Sequence, residues 1–197
     1  MNIEALSRYC AVDLHYISFP FVVDVAGEKW SAATDGRMLV AIKGAHEEDK
    51  RKIGPPDTTR TAAAEYIAGA LMAPTGIEID IEPLAAFCGP SDFETRRPCS
   101  NCDGTRKLCS CGECICRECD DGFVYREMSE RKGFIMGRVC NLNRLACLLD
   151  GRSGKAMLSV GLKWDDVITV ATLDWVAVLM PMKGTEDEMV GVPWWVP

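Results

Sequence analysis

The 197-residue sequence has only two histidines, His15 and His46, and neither sits in a pattern of a catalytic or metal-binding set. It has no P-loop and no Gly-x-Ser-x-Gly nucleophile turn, so no enzyme activity is expected. It has no long apolar run. The most hydrophobic stretch, Val167 to Met182, is broken by Thr169, Thr172 and Asp174 and is too short and too polar to span a bilayer. The first twenty residues carry Glu4, Arg8, Asp13 and His15, which leaves no signal-peptide hydrophobic region. A soluble, cytoplasmic protein with no membrane partner is the expectation. An excess of positive charge is also missing: 22 Lys and Arg stand against 29 Asp and Glu, a net charge of −7. That disfavours a protein that grips nucleic acid by its overall charge. An encircling protein stays compatible, because it can be acidic outside and locally basic inside.

Hydrophobic residues make up 48% and charged residues 26%, enough for one real core plus a small module. Residues 2–12 read as a short helix with Ile3, Leu6 and Cys10 on one face. Phe19, Phe21, Val23 and Val25 alternate, AGEK and TDGR read as turns, and Met38 to Ile42 form a third strand. Residues 46–57 are a polar loop, 61–73 a helix, 77–81 a strand and 82–88 a short helix. Residues 133–140 read as one strand. Residues 141–151 read as a helix with Asn141 as N-cap, and three further strands follow. Helix-then-three-strands thus occurs at 2–43 and again at 141–182. The fold class is α+β.

Eleven cysteines are present, and seven of them lie between 99 and 119. A secreted disulfide scaffold would spread its cysteines along the chain, whereas one dense cluster points to metal. Three C-x-x-C pairs occur there: Cys99/Cys102, Cys111/Cys114 and Cys116/Cys119. Two such turns supply four thiolates for a tetrahedral ion. The outer pairs both read C-x-x-C-D with glycine soon after, resembling zinc-ribbon knuckles. The expectation is structural Zn2+ on Cys99, Cys102, Cys116 and Cys119, with Cys109, Cys111 and Cys114 as additional or alternative ligands. An iron–sulfur cluster and a redox dithiol are the competing chemistries.

Two short motifs carry a resemblance. Ala33-Thr34-Asp35-Gly36-Arg37-Met38-Leu39 lies at a turn between strands. Val178-Leu179-Met180-Pro181-Met182-Lys183 ends the last strand, about 145 residues later. They resemble the ATDGHRLA and VMPMRL runs of bacterial beta sliding clamps, the processivity factors of replicative DNA polymerase. The resemblance spans roughly 1–90 and 133–183 and implies one DNA-clamp-like domain of two helix-plus-strands halves. It also implies helices that face DNA phosphates, which would make Arg8, Arg144, Arg152 and Lys155 contacts to double-stranded DNA. The plain alternative for these four is solvated surface charge. It further implies an apolar pocket for short linear motifs of protein partners, at Thr34, Gly36, Arg37, Met38, Leu39, Met180, Pro181 and Met182. Arg37 and Met38 stand where the family usually has His-Arg, a departure at the pocket, so the resemblance does not carry the family's peptide specificity over to this chain.

The expected organisation is therefore residues 1–90 and 133–183 as the two parts of a clamp-like domain, 91–132 as a zinc-binding insert, and 184–197 as a Trp-rich tail. Two functions follow. One is a clamp-like homo-oligomer that encloses DNA and recruits partners through the pocket. The other is a monomeric binding or inhibitory module, of a type that suits a phage or mobile element. The tail, with Trp194 and Trp195 between prolines, either packs on its own domain or inserts into a peptide pocket.

Overall fold

The computed structural model describes residues 6, 9–10, 17, 19–44, 48, 54–72, 76–89, 97–98, 123–124, 131–161 and 167–182. Its centre is a seven-stranded sheet. Strand β1 (Phe21–Val25), β2 (Glu28–Thr34) and β3 (Met38–Lys43) form the first meander; β9 (Lys155–Val160), β10 (Ile168–Ala171) and β11 (Trp175–Leu179) form the second. The strand order is β1-β2-β3-β11-β10-β9-β4, with β4 (Ile77–Asp80) at the far edge, and every pairing is antiparallel. The two meanders therefore meet through β3 and β11. The α+β expectation holds, and so does the reading of two strand triplets.

Strands β10 and β11 are buried along their whole length, and β3 from Met38 to Ala41, because both sheet faces are covered. Along β11, Trp175, Ala177 and Leu179 enter one core cluster, while Val176 and Val178 enter the other. Period-two alternation thus delivers side chains to two cores. One face carries helix α1 (Asp57–Leu71), which buries Ala63, Ile67 and Ala70. The opposite face carries α2 (Ile81–Cys88) and α3 (Leu142–Leu149), together with Leu6 and Tyr9. The Tyr9 hydroxyl donates to the carbonyl of Cys147 at 3.1 Å. The rest of the expected 2–12 helix lies outside the described residues.

Local chemistry explains the boundaries. Ala26 and Gly27 both take positive φ (52° and 84°), the requirement of a tight hairpin between β1 and β2. Asn141 caps α3 as expected, its side-chain oxygen accepting from the Arg144 N–H at 3.1 Å. Helix α1 starts four residues earlier than its sequence pattern suggests, because Pro55 and Pro56 stop the preceding chain and Asp57 suits the first turn. Ile81, expected in a strand, opens α2. The expected single strand at 133–140 is a hairpin of β7 (Lys132–Ile135) and β8 (Arg138–Asn141), since Met136 and Gly137 take φ of 47° and 80°. At the outer edge, Glu48 accepts from the Val22 N–H and pairs with Arg60 at 2.7 Å, and Arg60 donates to the Val22 carbonyl at 2.6 Å. Polar groups on the edge strand are thereby covered.

A two-residue ladder joins β5 (Arg97–Pro98) to β6 (Phe123–Val124), pairing Pro98 with Phe123. The seven clustered cysteines and residues 183–197 lie outside the described residues. Among the described residues, no helix is long and apolar enough to cross a membrane.

Candidate functional site

The Thr34–Met38 turn connects β2 to β3 and is held by its own side chains. The Thr34 hydroxyl donates to the Met38 carbonyl at 2.6 Å and accepts from the Gly36 N–H at 3.0 Å. One carboxylate oxygen of Asp35 accepts from the N–H groups of Arg37 and Met38, at 2.8 and 2.9 Å. Gly36 sits at φ 82°, a conformation that favours glycine. The other Asp35 oxygen pairs with the Arg144 guanidinium from the start of α3. Both side chains of this pair are only 17% exposed.

The second motif lies directly beside the first. Leu179 faces Met38 across the β3–β11 ladder, and the Met180 N–H donates to the Arg37 carbonyl at 2.9 Å. The Met182 N–H donates to the carbonyl of Val139 at 2.8 Å, tying the chain beyond β11 to the β7–β8 hairpin.

A cavity of about 370 Å³ opens here between the sheet end and α1. Thr34, Gly36, Met38, Leu39 and Met180 all line it, five of the eight residues that the two motifs nominate. Arg37, Pro181 and Met182 are not in its lining. The opposite wall comes from α1, through Thr58, Thr59, Ala62, Ala63 and Tyr66, with Ile17 and Val178 completing it. Sequence reasoning missed this wall. Its signal was Tyr66, the one aromatic on an alanine-rich helix, one turn after Ala62 and Ala63. The cavity has the size of a small ligand or side-chain pocket. Its surface is mainly aliphatic, thioether and aromatic, with threonine hydroxyls at hand for hydrogen bonds.

The four candidate DNA contacts fare differently. Arg8 lies outside the described residues. Arg144 is engaged with Asp35. The Arg152 guanidinium stacks on Trp175, 4.5 Å from the ring centroid. Lys155 reaches Glu78, whose hydrogen bond pushes the ammonium pKa up.

Two core cysteines are chemically quiet. Burial pushes the Cys140 thiol up to about 12, and burial with a smaller contribution from Cys140 raises Cys88 further. Both stay protonated at neutral pH, unlike metal-bound thiolates. Among the described residues, no group of three or more His, Cys, Asp or Glu is placed to hold a metal.

No known protein-family model matches the chain, and no curated protein matches it. Among solved structures it is similar to the DNA polymerase sliding clamp of Bacillus subtilis, at 8% identity and TM-score 0.44 over 93% of this chain and 62% of that one. It is similar to the DNA polymerase III beta subunit of Thermotoga maritima, at 11% identity and TM-score 0.44, with the same coverage. It is similar to the DNA polymerase sliding clamp of Pseudomonas aeruginosa, at 15% identity and TM-score 0.44 over 92% and 63%. The match thus takes in less than two thirds of each of those proteins.

Proposed function

We propose that this chain is a non-enzymatic binding module of the sliding-clamp type, which recruits protein partners by taking short apolar segments into the cavity between the Thr34–Met38 turn and α1. One observation carries the reading: two motifs about 145 residues apart in sequence contribute five side chains or backbone positions to a single cavity. Met38 and Met180 give it an adaptable apolar wall, suited to partners whose sequences differ. Tyr66 offers a ring for an aromatic or leucine anchor to pack against.

The test is selection of nine-residue peptides on the immobilised full chain, followed by titration calorimetry. Enriched peptides should carry an aromatic or large aliphatic anchor. Met180→Glu, with its fold checked by circular dichroism, should weaken them about tenfold or more, because it buries a charge against the anchor. Unchanged affinity in Met180→Glu would remove the cavity from the reading.

Enclosure of DNA by an oligomer is the second half of the clamp reading. Three of its four proposed contacts, Arg144, Arg152 and Lys155, already engage Asp35, Trp175 and Glu78. That observation favours the monomeric binding module over a DNA-encircling ring. Light scattering on the zinc-replete protein, with and without duplex DNA, separates them: a ring-sized mass supports the clamp, a monomer indifferent to DNA the module.

The cysteine cluster is proposed to hold structural Zn2+ on Cys99, Cys102, Cys116 and Cys119. Support comes from the paired spacing and from the β5–β6 ladder. That ladder pairs Pro98, the residue before Cys99, with Phe123, four residues beyond Cys119, so it closes the loop whose sequence carries both outer C-x-x-C pairs. An ion there would supply the folding free energy that a loop poor in large apolar groups lacks.

A further inference from the structure

The cavity is lined by Met180, and the chain runs on from it. Met182 is anchored to Val139 through its backbone, and residues 183–197 continue from that anchor. This stretch contains Pro193-Trp194-Trp195-Val196-Pro197, the densest apolar segment outside the described residues that adjoin the cavity.

We infer that the chain's own residues 193–197 dock in the cavity in cis, with Trp194 or Trp195 as the anchor, so that partner segments must displace a built-in competitor. The inference rests on the cavity being a peptide site, as proposed above.

Reach is sufficient. Trp194 lies twelve residues beyond Met182, and an extended chain of that length spans about 40 Å. The target begins only two residues before the anchor, so the intervening segment has ample length to reverse, and Gly184 and Gly191 provide turn positions. The short tether also sets the local concentration of the segment in the millimolar range, which lets a weak contact compete.

Chemistry agrees with reach. Indoles carry the largest apolar area of any side chain, and the cavity presents thioethers, aliphatic groups and the Tyr66 ring to receive one. Flanking prolines fix an extended backbone and reduce the entropy lost on docking.

The experiment uses the full chain with 13C-labelled methionine methyls. In the parent, ring currents from the docked indole should shift the Met38 and Met180 methyl signals, and W194A/W195A should remove those shifts while leaving the Met157 signal in place. The shifts should persist on dilution at monomeric mass. A labelled peptide of residues 189–197 should bind W194A/W195A about tenfold or more tightly than it binds the parent, where the segment already occupies the site. Identical Met38 and Met180 signals in the two proteins overturn the inference. Shifts that vanish on dilution also overturn it, by assigning the occupant to a second copy. If selected peptides bind parent and W194A/W195A equally well, self-docking fails and the cavity reading survives. If neither selected peptides nor the 189–197 peptide bind either protein, both fail together.

Discussion

Asp35 and Arg144, 109 residues apart, form an ion pair that ties the β2–β3 turn to the first turn of α3. The same carboxylate accepts two backbone N–H bonds from its own turn. Asp35 therefore does two jobs: it shapes the turn that supplies one rim of the cavity, and it fixes that turn to the helix layer on the far face of the sheet. With both side chains 17% exposed, the pair is partly withdrawn from water, where losing one partner costs more than at an open surface.

Substitution should separate the two jobs. Arg144→Ala and Asp35→Asn remove the ion pair but leave an oxygen for the turn, and each should destabilise by about 2 kcal/mol. Asp35→Ala removes the turn bonds too and should cost about 1–2 kcal/mol more. Urea unfolding gives the values. Equal losses in Asp35→Asn and Asp35→Ala would show that the turn bonds contribute nothing measurable.

Much of this site was legible before any coordinates. The turn signals Gly27 and Asp35-Gly36 cut the first meander correctly, alternation from Phe21 to Val25 located its first strand, and three apolar segments after residue 151 located the last three strands. Five pocket residues were named from two motifs alone. What stayed hidden was tertiary. Tyr66 marks one face of residues 57–71, but nothing local to them indicates that this face meets the Thr34–Met38 turn. Nothing local to Arg144 indicates that its partner is Asp35 rather than phosphate. The hairpin at 132–141 was hidden for another reason: Gly137 is its one turn residue, and Met136 holds the positive-φ position ahead of it where Asn or Asp would have marked the turn.

That strain predicts a gain in stability. Ala26 holds φ at 52° ahead of Gly27, the geometry for which Asn-Gly is favoured in a two-residue hairpin. Ala26→Asn should stabilise the protein by about 1 kcal/mol, since asparagine tolerates the left-handed region better than alanine. Gly133 is the opposite case. A Cβ there would stand 2.4 Å from a methyl of Leu142, which is fully buried and cannot give way. Gly133→Ala should destabilise by about 1–3 kcal/mol. Thermal unfolding of both variants checks the pair, and a neutral Gly133→Ala would mean that Leu142 has room to move.

Metal removal tests the cysteine cluster. Zinc released by a mercurial reagent and measured with a colorimetric chelator should come to about one ion per chain for a single four-thiolate site. Cys99→Ser and Cys116→Ser should abolish it. Cys109→Ser should retain it if the outer pairs suffice, and about two ions per chain would instead bring the inner cysteines into a second site. Zinc-free protein should be cut by trypsin at Arg106, Lys107 or Arg117 far faster than zinc-loaded protein, because the metal supplies the order of that segment. Equal cutting rates would oppose a structural role.

The core thiols predict a different dependence, on alkali. Cys88 and Cys140 are both held well above their ordinary value of 9.0, chiefly by burial, and Cys140 reaches about 12. Below pH 9 both are protonated in the folded and unfolded chains, so they add no pH dependence. Between 9.0 and about 12 the unfolded chain releases these protons and the folded chain retains them. The unfolded state then binds fewer protons, and stability falls as pH rises, by up to about 1.4 kcal/mol per pH unit for each thiol. Cys88→Ala/Cys140→Ala should lower stability at pH 8 through the space it leaves in the core. It should also show a shallower loss between pH 9.5 and 11 than the parent, since lysine and tyrosine titrations are common to both. Urea unfolding across that range measures the two slopes, and parallel slopes would mean that neither thiol stays protonated in the folded core.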